Sequence, residues 1–138
     1  MIALDTNALV RLLIEDNEKQ ALTVKKIIES AENKGQQIII LTQVLIETVW
    51  VLESVYECTR EDICRFLETL TYTSVFTFSE PKIILNAIRY FEKGGDFADL
   101  IIVMQALNHQ AKKFFGFDKK LQKLFPDYVV ERLGPRDL

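Results

Sequence analysis

The run Gln37-Ile38-Ile39-Ile40-Leu41-Thr42 limits the fold more than any other stretch of the chain. Three consecutive β-branched residues are stiff about χ1 and suit a pleated strand. A run that is apolar on both alternating faces fits a strand covered on both sides, the usual situation in a parallel sheet. Parallel neighbours need crossover connections, and helical periods do flank this run. MIAL (1–4) reads as a first strand ending in Asp5-Thr6-Asn7, followed by a helix over ALVRLLIE and a second from about Gln20 to Asn33, stopped by Gly35. QIIILT (37–42) is the second strand. A third helix runs from near Gln43 to about Tyr56, and a fourth, ICRFLETL, is opened by Thr59 as N-cap with Asp62 in its acidic first turn. SVFTF (74–78) is a third strand. Glu80-Pro81 starts a helix that ends at Gly94-Gly95, and Asp96 opens the very apolar FADLIIVMQALNHQA. KFFGFD (113–118) and YVVERL (128–133) complete the set as fourth and fifth strands. No repeat or linker interrupts this order, so the expectation is one α/β domain over residues 1–138, a three-layer α/β/α sandwich around a parallel sheet.

The 138 residues suffice for a substantial core, and 49% of them are hydrophobic, with a mean hydropathy of +0.08. That balance favours a filled core plus an apolar interface, and hence a homodimer. No apolar run approaches the roughly 20 residues of a membrane span. The N-terminal MIALDTNALVRLL is too short, and charged too early, for a signal peptide, so no membrane association is expected and the expected location is cytoplasmic. Cys58 and Cys64 lie six apart, which is neither a redox pair nor a zinc spacing; they are expected to be free thiols. The single histidine, His109, cannot build a histidine metal site and is expected to cap or face solvent near a helix end. A net charge of −3 and a pI near 5.2 exclude bulk basic attraction to nucleic acid, though not local basic patches around an acidic centre.

The acidic residues carry the functional signal. In VLIETVWVL (44–52), Glu47 stands in an otherwise apolar stretch, and its helical neighbours Val44, Trp50 and Val51 all have core character. Glu47 is therefore expected to point towards the apolar side, where an unpaired carboxylate costs several kcal/mol and calls for a cation. Asp5 and Asp118 fall at the carboxyl ends of the first and fourth strands, the edge at which open α/β sheets bind ligands. Asp99 lies in the first turn of its helix, next to Ile102 and Val103, which are expected to form a buried stripe. Structural roles remain open beside the functional ones. Asp5 or Asn7 can cap the first helix, Asp118 can begin a turn before Lys119-Lys120, and Asp96 is preferred as the N-cap of its helix. Several neighbouring carboxylates cannot all ionise without a compensating cation, and oxygen donors without histidine or cysteine select Mg²⁺ or Mn²⁺. Such a centre suits hydrolysis of phosphate esters.

LDTNALVRLL, LIETVWVLESVY, GGDFADLIIVMQA and FGFDKKL, in this order over nearly the whole chain, resemble the motifs of the PIN-domain ribonucleases, and among them the VapC-type toxins of VapBC toxin–antitoxin modules. The resemblance matches the four family acids to Asp5, Glu47, Asp99 and Asp118, with Glu47 acting on the metal directly or through water. Asp96 matches an additional aspartate, a less expected ligand, and Thr6 or Asn7 the polar residue that orients the first aspartate or a metal-bound water. It implies a Mg²⁺-dependent endoribonuclease restrained by a cognate VapB-like antitoxin, a homodimer, and a four- or five-stranded sheet in the order 3-2-1-4-5. Gly116 departs from the threonine or serine that many relatives carry two residues before the last acid. Arg11 and Lys119 are candidates for RNA or antitoxin contact, with a structural ion pair as the alternative for Arg11.

Three rival readings compete with this one. A silent PIN-like binding module fits poorly, because all four acidic positions are filled. A receiver or phosphatase fits poorly too, because Asp5-Thr6-Asn7 gives neither paired acids nor D-x-D. A DNA nuclease lacks room for an arch that clamps a duplex, so single-stranded or loop RNA is the expected substrate.

Overall fold

A computed structural model describes residues 1–138, which divide into two compact units, Met1–Pro81 and Lys82–Leu138. In the first unit the elements run β1 (Ile2–Ala3), α1 (Thr6–Leu13), α2 (Glu18–Asn33), β2 (Ile38–Ile40), α3 (Thr42–Ser54), α4 (Arg60–Tyr72) and β3 (Phe76–Phe78). All three strands are parallel, in the order β1-β2-β3, with Ile2 opposite Ile38 and Ile38 opposite Phe76. The isoleucine run is the central strand, and Ile38 and Ile40 are wholly buried, as a strand covered on both faces requires. Leu9 and Val10 of α1, Leu45, Val49 and Leu52 of α3, and Ile63 and Leu67 of α4 complete the apolar interior of this unit.

The second unit holds most of α5 (Pro81–Lys93), then α6 (Phe97–Asn108), β4 (Phe114–Phe115), α7 (Lys119–Leu124) and β5 (Val129–Val130). β4 and β5 pair in parallel, with Phe114 opposite Val129. Phe91 and Phe97 meet edge to face at 5.6 Å, and Tyr90 lies 4.4 Å from Phe125. Leu100, Ile101 and Val103 of α6 are fully buried.

Element order and type follow the sequence expectation, with two differences. The single four- or five-stranded sheet expected in the order 3-2-1-4-5 is not formed: β3-β2-β1 and β4-β5 pair as two separate ladders with no pairing of β1 to β4, each strand being only two or three residues long. Residues 119–124, expected as loop, form the short helix α7, because Asp118 caps it and Leu121 is buried beneath it.

α3 has no side-chain cap of its own, since Leu41 occupies the N-cap position. Ser79, beyond the end of β3, supplies the missing acceptor: its Oγ takes the Thr42 N–H at 3.1 Å. The Thr42 hydroxyl lies 3.2 Å from Ser79 Oγ and donates to Glu80 Oε1 at 2.5 Å. Thr42 is only 2% exposed, so these bonds replace water that cannot reach it. Thr42→Val keeps the shape but strands the partners of the hydroxyl, and we expect a loss of about 1–3 kcal/mol in chemical denaturation. Thr23→Val, on the exposed face of α2, should change stability by less than about 0.5 kcal/mol; equal effects would mean the Thr42 cluster contributes nothing.

Candidate active site

β1 delivers the chain to Asp5, whose extended backbone makes it the N-cap of α1. Its Oδ1 accepts the Ala8 N–H at 2.9 Å, and Oδ2 makes no protein hydrogen bond. The next residue, Thr6, reaches across to α3 and donates its hydroxyl to Glu47 Oε2 at 2.6 Å. A short bond to a charged acceptor is among the stronger neutral-to-ion contacts, and it fixes one glutamate oxygen while leaving Oε1 unbonded. Thr6 is thus tied to the glutamate rather than to Asp5, and Asn7 is exposed on α1.

Glu47 itself corrects the sequence expectation, because it is exposed rather than turned to the core. The buried stripe of α3 is Leu45, Thr48, Val49 and Leu52, and at about 100° per residue Glu47 lies roughly opposite it. Its stripe is Gln43, Glu47, Trp50 and Ser54, all exposed, with Trp50 at 61%. Apolar residues run almost all the way round this helix, so residue type alone did not show which face turns inward. Burial therefore does not demand a cation for Glu47.

In the second unit, Gly94 and Gly95 take φ values of +132° and +89°, which side chains rarely tolerate, and so turn the chain into α6. Asp96 caps that helix, its Oδ2 accepting the Asp99 N–H at 3.1 Å. Asp99, in the first turn, is half-buried; Val103 is buried as expected, but Ile102 is 46% exposed, so the stripe beside Asp99 is only partly inward. Burial raises the pKa of Asp99 above the ordinary aspartyl value, and the charges of Asp96 and then Asp118 raise it further. Asp118 caps α7 by accepting the Leu121 N–H at 2.9 Å through Oδ1. Three aspartates of this unit therefore share one electrostatic neighbourhood, and none of them is ion-paired.

No three histidine, cysteine or acidic side chains are gathered tightly enough to enclose a metal ion by themselves. The donor chemistry is nonetheless all oxygen, exposed or half-buried, with one carboxylate oxygen uncommitted on each of Asp5, Glu47, Asp96 and Asp118. Oxygen donors of this chemical type suit a hard, partly hydrated cation and do not suit zinc. The basic candidates are engaged. Of its two expected roles, Arg11 forms the ion pair, contacting Asp16 at 2.6 Å, Gln20 at 2.8 Å and the Tyr56 hydroxyl at 3.3 Å. Lys119 pairs with Glu131 at 2.7 Å and draws the Glu131 carboxyl below its usual range. His109 ends α6 and is exposed, and neither cysteine forms a disulfide.

Comparison with known proteins places the chain in a family. The PIN domain family profile matches residues 2–124. The chain belongs to the PIN domain family. It is similar to a protein named VapC ribonuclease from Aquifex aeolicus (strain VF5), with 30% identity over 125 residues, 90% of this chain and 92% of that protein. No solved structure matches the chain significantly. The α/β architecture with parallel strands, expected as a three-layer α/β/α sandwich, is that of the PIN fold.

Asp99 gives this PIN domain a pH signature. A carboxyl whose folded-state pKa is raised holds its proton more tightly in the folded chain. Its contribution to stability is present below the unfolded aspartyl pKa of about 3.9 and is lost as pH rises through the higher folded value. Metal-free Asp99→Asn should therefore melt above the parent at neutral pH, and the difference should vanish below about pH 4. A variant that melts lower at pH 7 would mean Asp99 is a structural group.

Proposed function

We propose that this PIN domain, spanning residues 1–138, is a Mg²⁺- or Mn²⁺-dependent endoribonuclease, the toxin of a VapBC-type module, acting in the cytoplasm as a homodimer. The observation that carries this reading is that the PIN-motif acids Asp5, Glu47 and Asp118 each keep one carboxylate oxygen free of hydrogen bonds. In the proposed roles, Asp5, Asp99 and Asp118 would hold the cation, and Glu47 would do so directly or through a water. When bound, the metal supplies Lewis acidity, easing deprotonation of water and neutralising charge on the phosphate. The Thr6 hydroxyl steadies Glu47 Oε2, so that Oε1 is free to accept a proton from an attacking water. Caps on Asp5 and Asp118 hold those carboxylates in one rotamer before any ligand arrives. A VapB-like antitoxin would inhibit by placing an arginine or lysine on the same carboxylates, and the exposed Trp50 and its neighbours offer apolar surface for assembly.

The test is cleavage of a labelled oligoribonucleotide. EDTA should abolish it, Mg²⁺ or Mn²⁺ should restore it, and the rate should climb from acid towards neutral pH as the carboxylates ionise. Cleavage that survives full chelation would overturn the metal mechanism. Metal binding without any cleavage would leave a silent binding module, and preference for DNA would replace the substrate.

Within the GGDFAD motif the two aspartates should separate. Asp99→Asn should lower the rate by more than about 100-fold, beyond the 10–100-fold typical of a residue that merely supports a ligand. Asp96→Ala should cost about 0.5–2 kcal/mol through loss of the cap, while Asp96→Asn, which still caps, should keep the fold and most of the activity. An Asp96→Asn enzyme as inactive as Asp99→Asn would make Asp96 a ligand.

A further inference from the structure

Two aromatic rings stand in the open directly before Asp118. Phe115 on β4 is 52% exposed and Phe117 is 71% exposed. The extended chain continues past β4, since the Gly116 N–H still donates to Val130 O at 3.0 Å. Residues two apart in an extended chain share a face. Their rings accordingly meet edge to face, 5.2 Å between centroids and 77° between planes, which leaves a broad ring face uncovered.

Local structure does not account for this exposure. Phe117 occupies the position just before the N-cap of α7, where an apolar residue usually packs against the fourth helical residue. That residue here is Gln122, whose side chain is occupied in donating to the Gly116 carbonyl at 3.2 Å. Phe117 therefore has no apolar partner in its own helix, and its ring stays in solvent.

What surrounds the pair is charge. Asp118, Lys119 and Lys120 follow directly, and Lys120 is exposed. The Lys119–Glu131 pair is itself exposed, with the lysine side chain 72% accessible, and such pairs contribute little and are readily exchanged. Open aromatic faces beside cations are the combination that grips unpaired nucleotides, with rings stacking on bases and ammonium groups meeting phosphates. A purely apolar protein contact would use the rings but not the two lysines.

We propose that Phe115 and Phe117 form a stacking platform for an unpaired base of single-stranded RNA, with Lys119 and Lys120 taking the adjoining phosphate. This rests on the reading of the protein as a ribonuclease and specifies how substrate is held: next to Asp118, by stacking, and without base-edge hydrogen bonds. The preference it gives is for unpaired over paired RNA.

The experiment uses the full-length protein in EDTA, so that nothing is cut, and a fluorescein-labelled unstructured 12-residue oligoribonucleotide. Phe117→Leu keeps an apolar side chain but no ring face, and should weaken binding by about fivefold or more. Phe117→Tyr should bind within about twofold of the parent, and Phe117→Trp should show tryptophan emission quenched by the RNA. An oligonucleotide with abasic positions should bind the parent more weakly, and Phe117→Leu no differently from its intact counterpart. Unchanged RNA affinity in Phe117→Leu would overturn the proposal. So would a variant that altered only the oligomeric state in light scattering, which would make the pair a protein interface. Cleavage with Mg²⁺ separates this idea from the broader one. RNA bound through Phe117 but never cut would end the nuclease reading and leave the platform. RNA cut equally well, with an unchanged KM, by Phe117→Leu would do the reverse.

Discussion

Parallel pairing sends every strand of a sheet out at the same edge, and in the first unit that constraint decides what meets what. β1 ends in Asp5, β2 ends in Thr42 at the start of α3, and β3 ends in Ser79 and Glu80. The Thr42–Ser79–Glu80 bonds and the Thr6–Glu47 bond are both products of this edge. α3 is consequently held near its first turn by the β3 exit and at Glu47 by the residue following the β1 exit. Its position relative to Asp5 is then set by hydrogen bonds between neighbouring strand exits, and loop length has little freedom to alter it.

Asp5 and Asp118, each following a strand, and Asp96, following the glycine turn after α5, commit only one oxygen to local structure. Asp5, Asp96 and Asp118 are each the N-cap of the following helix, a role that stabilises by about 0.5–2 kcal/mol and complements the helix dipole. An N-cap needs one acceptor, so the second oxygen is left over. The capping bond also restricts χ1 and χ2, which directs that oxygen without any help from a counter-ion. Capping by one oxygen is therefore compatible with the ligand role proposed for the other.

What the sequence revealed follows the range of the interactions concerned. Helices and strands were legible in order because their apolar periods differ, and the caps at Thr59 and Asp96 because cap and partner lie three residues apart. The matching of Asp5, Glu47, Asp99 and Asp118 to a motif set was legible as a pattern, but the inward turn expected of Glu47 was not correct. That expectation rested on residue type in a helix apolar nearly all round, where the inward face is chosen by packing. α7 was hidden because Lys119 and Lys120 resemble a solvated turn, and only burial of Leu121 shows otherwise. Tyr56 joins Arg11 and Asp16 from 45 and 40 residues away, and Lys119 and Glu131 are 12 apart, separations over which no local pattern carries information.

Asp99 connects the stability of the chain to its proposed chemistry. Its carboxylate is half-buried among like charges, so the metal-free protein carries an electrostatic cost that the core and the caps must outweigh. On the proposed reading, three things would relieve that cost: a proton, a divalent cation, or a cationic side chain from a partner. Each favours the folded chain by its own differential affinity, and each excludes the others from the same oxygens. On the proposed reading, inhibitor and metal are therefore linked, and acid weakens both because it supplies the proton.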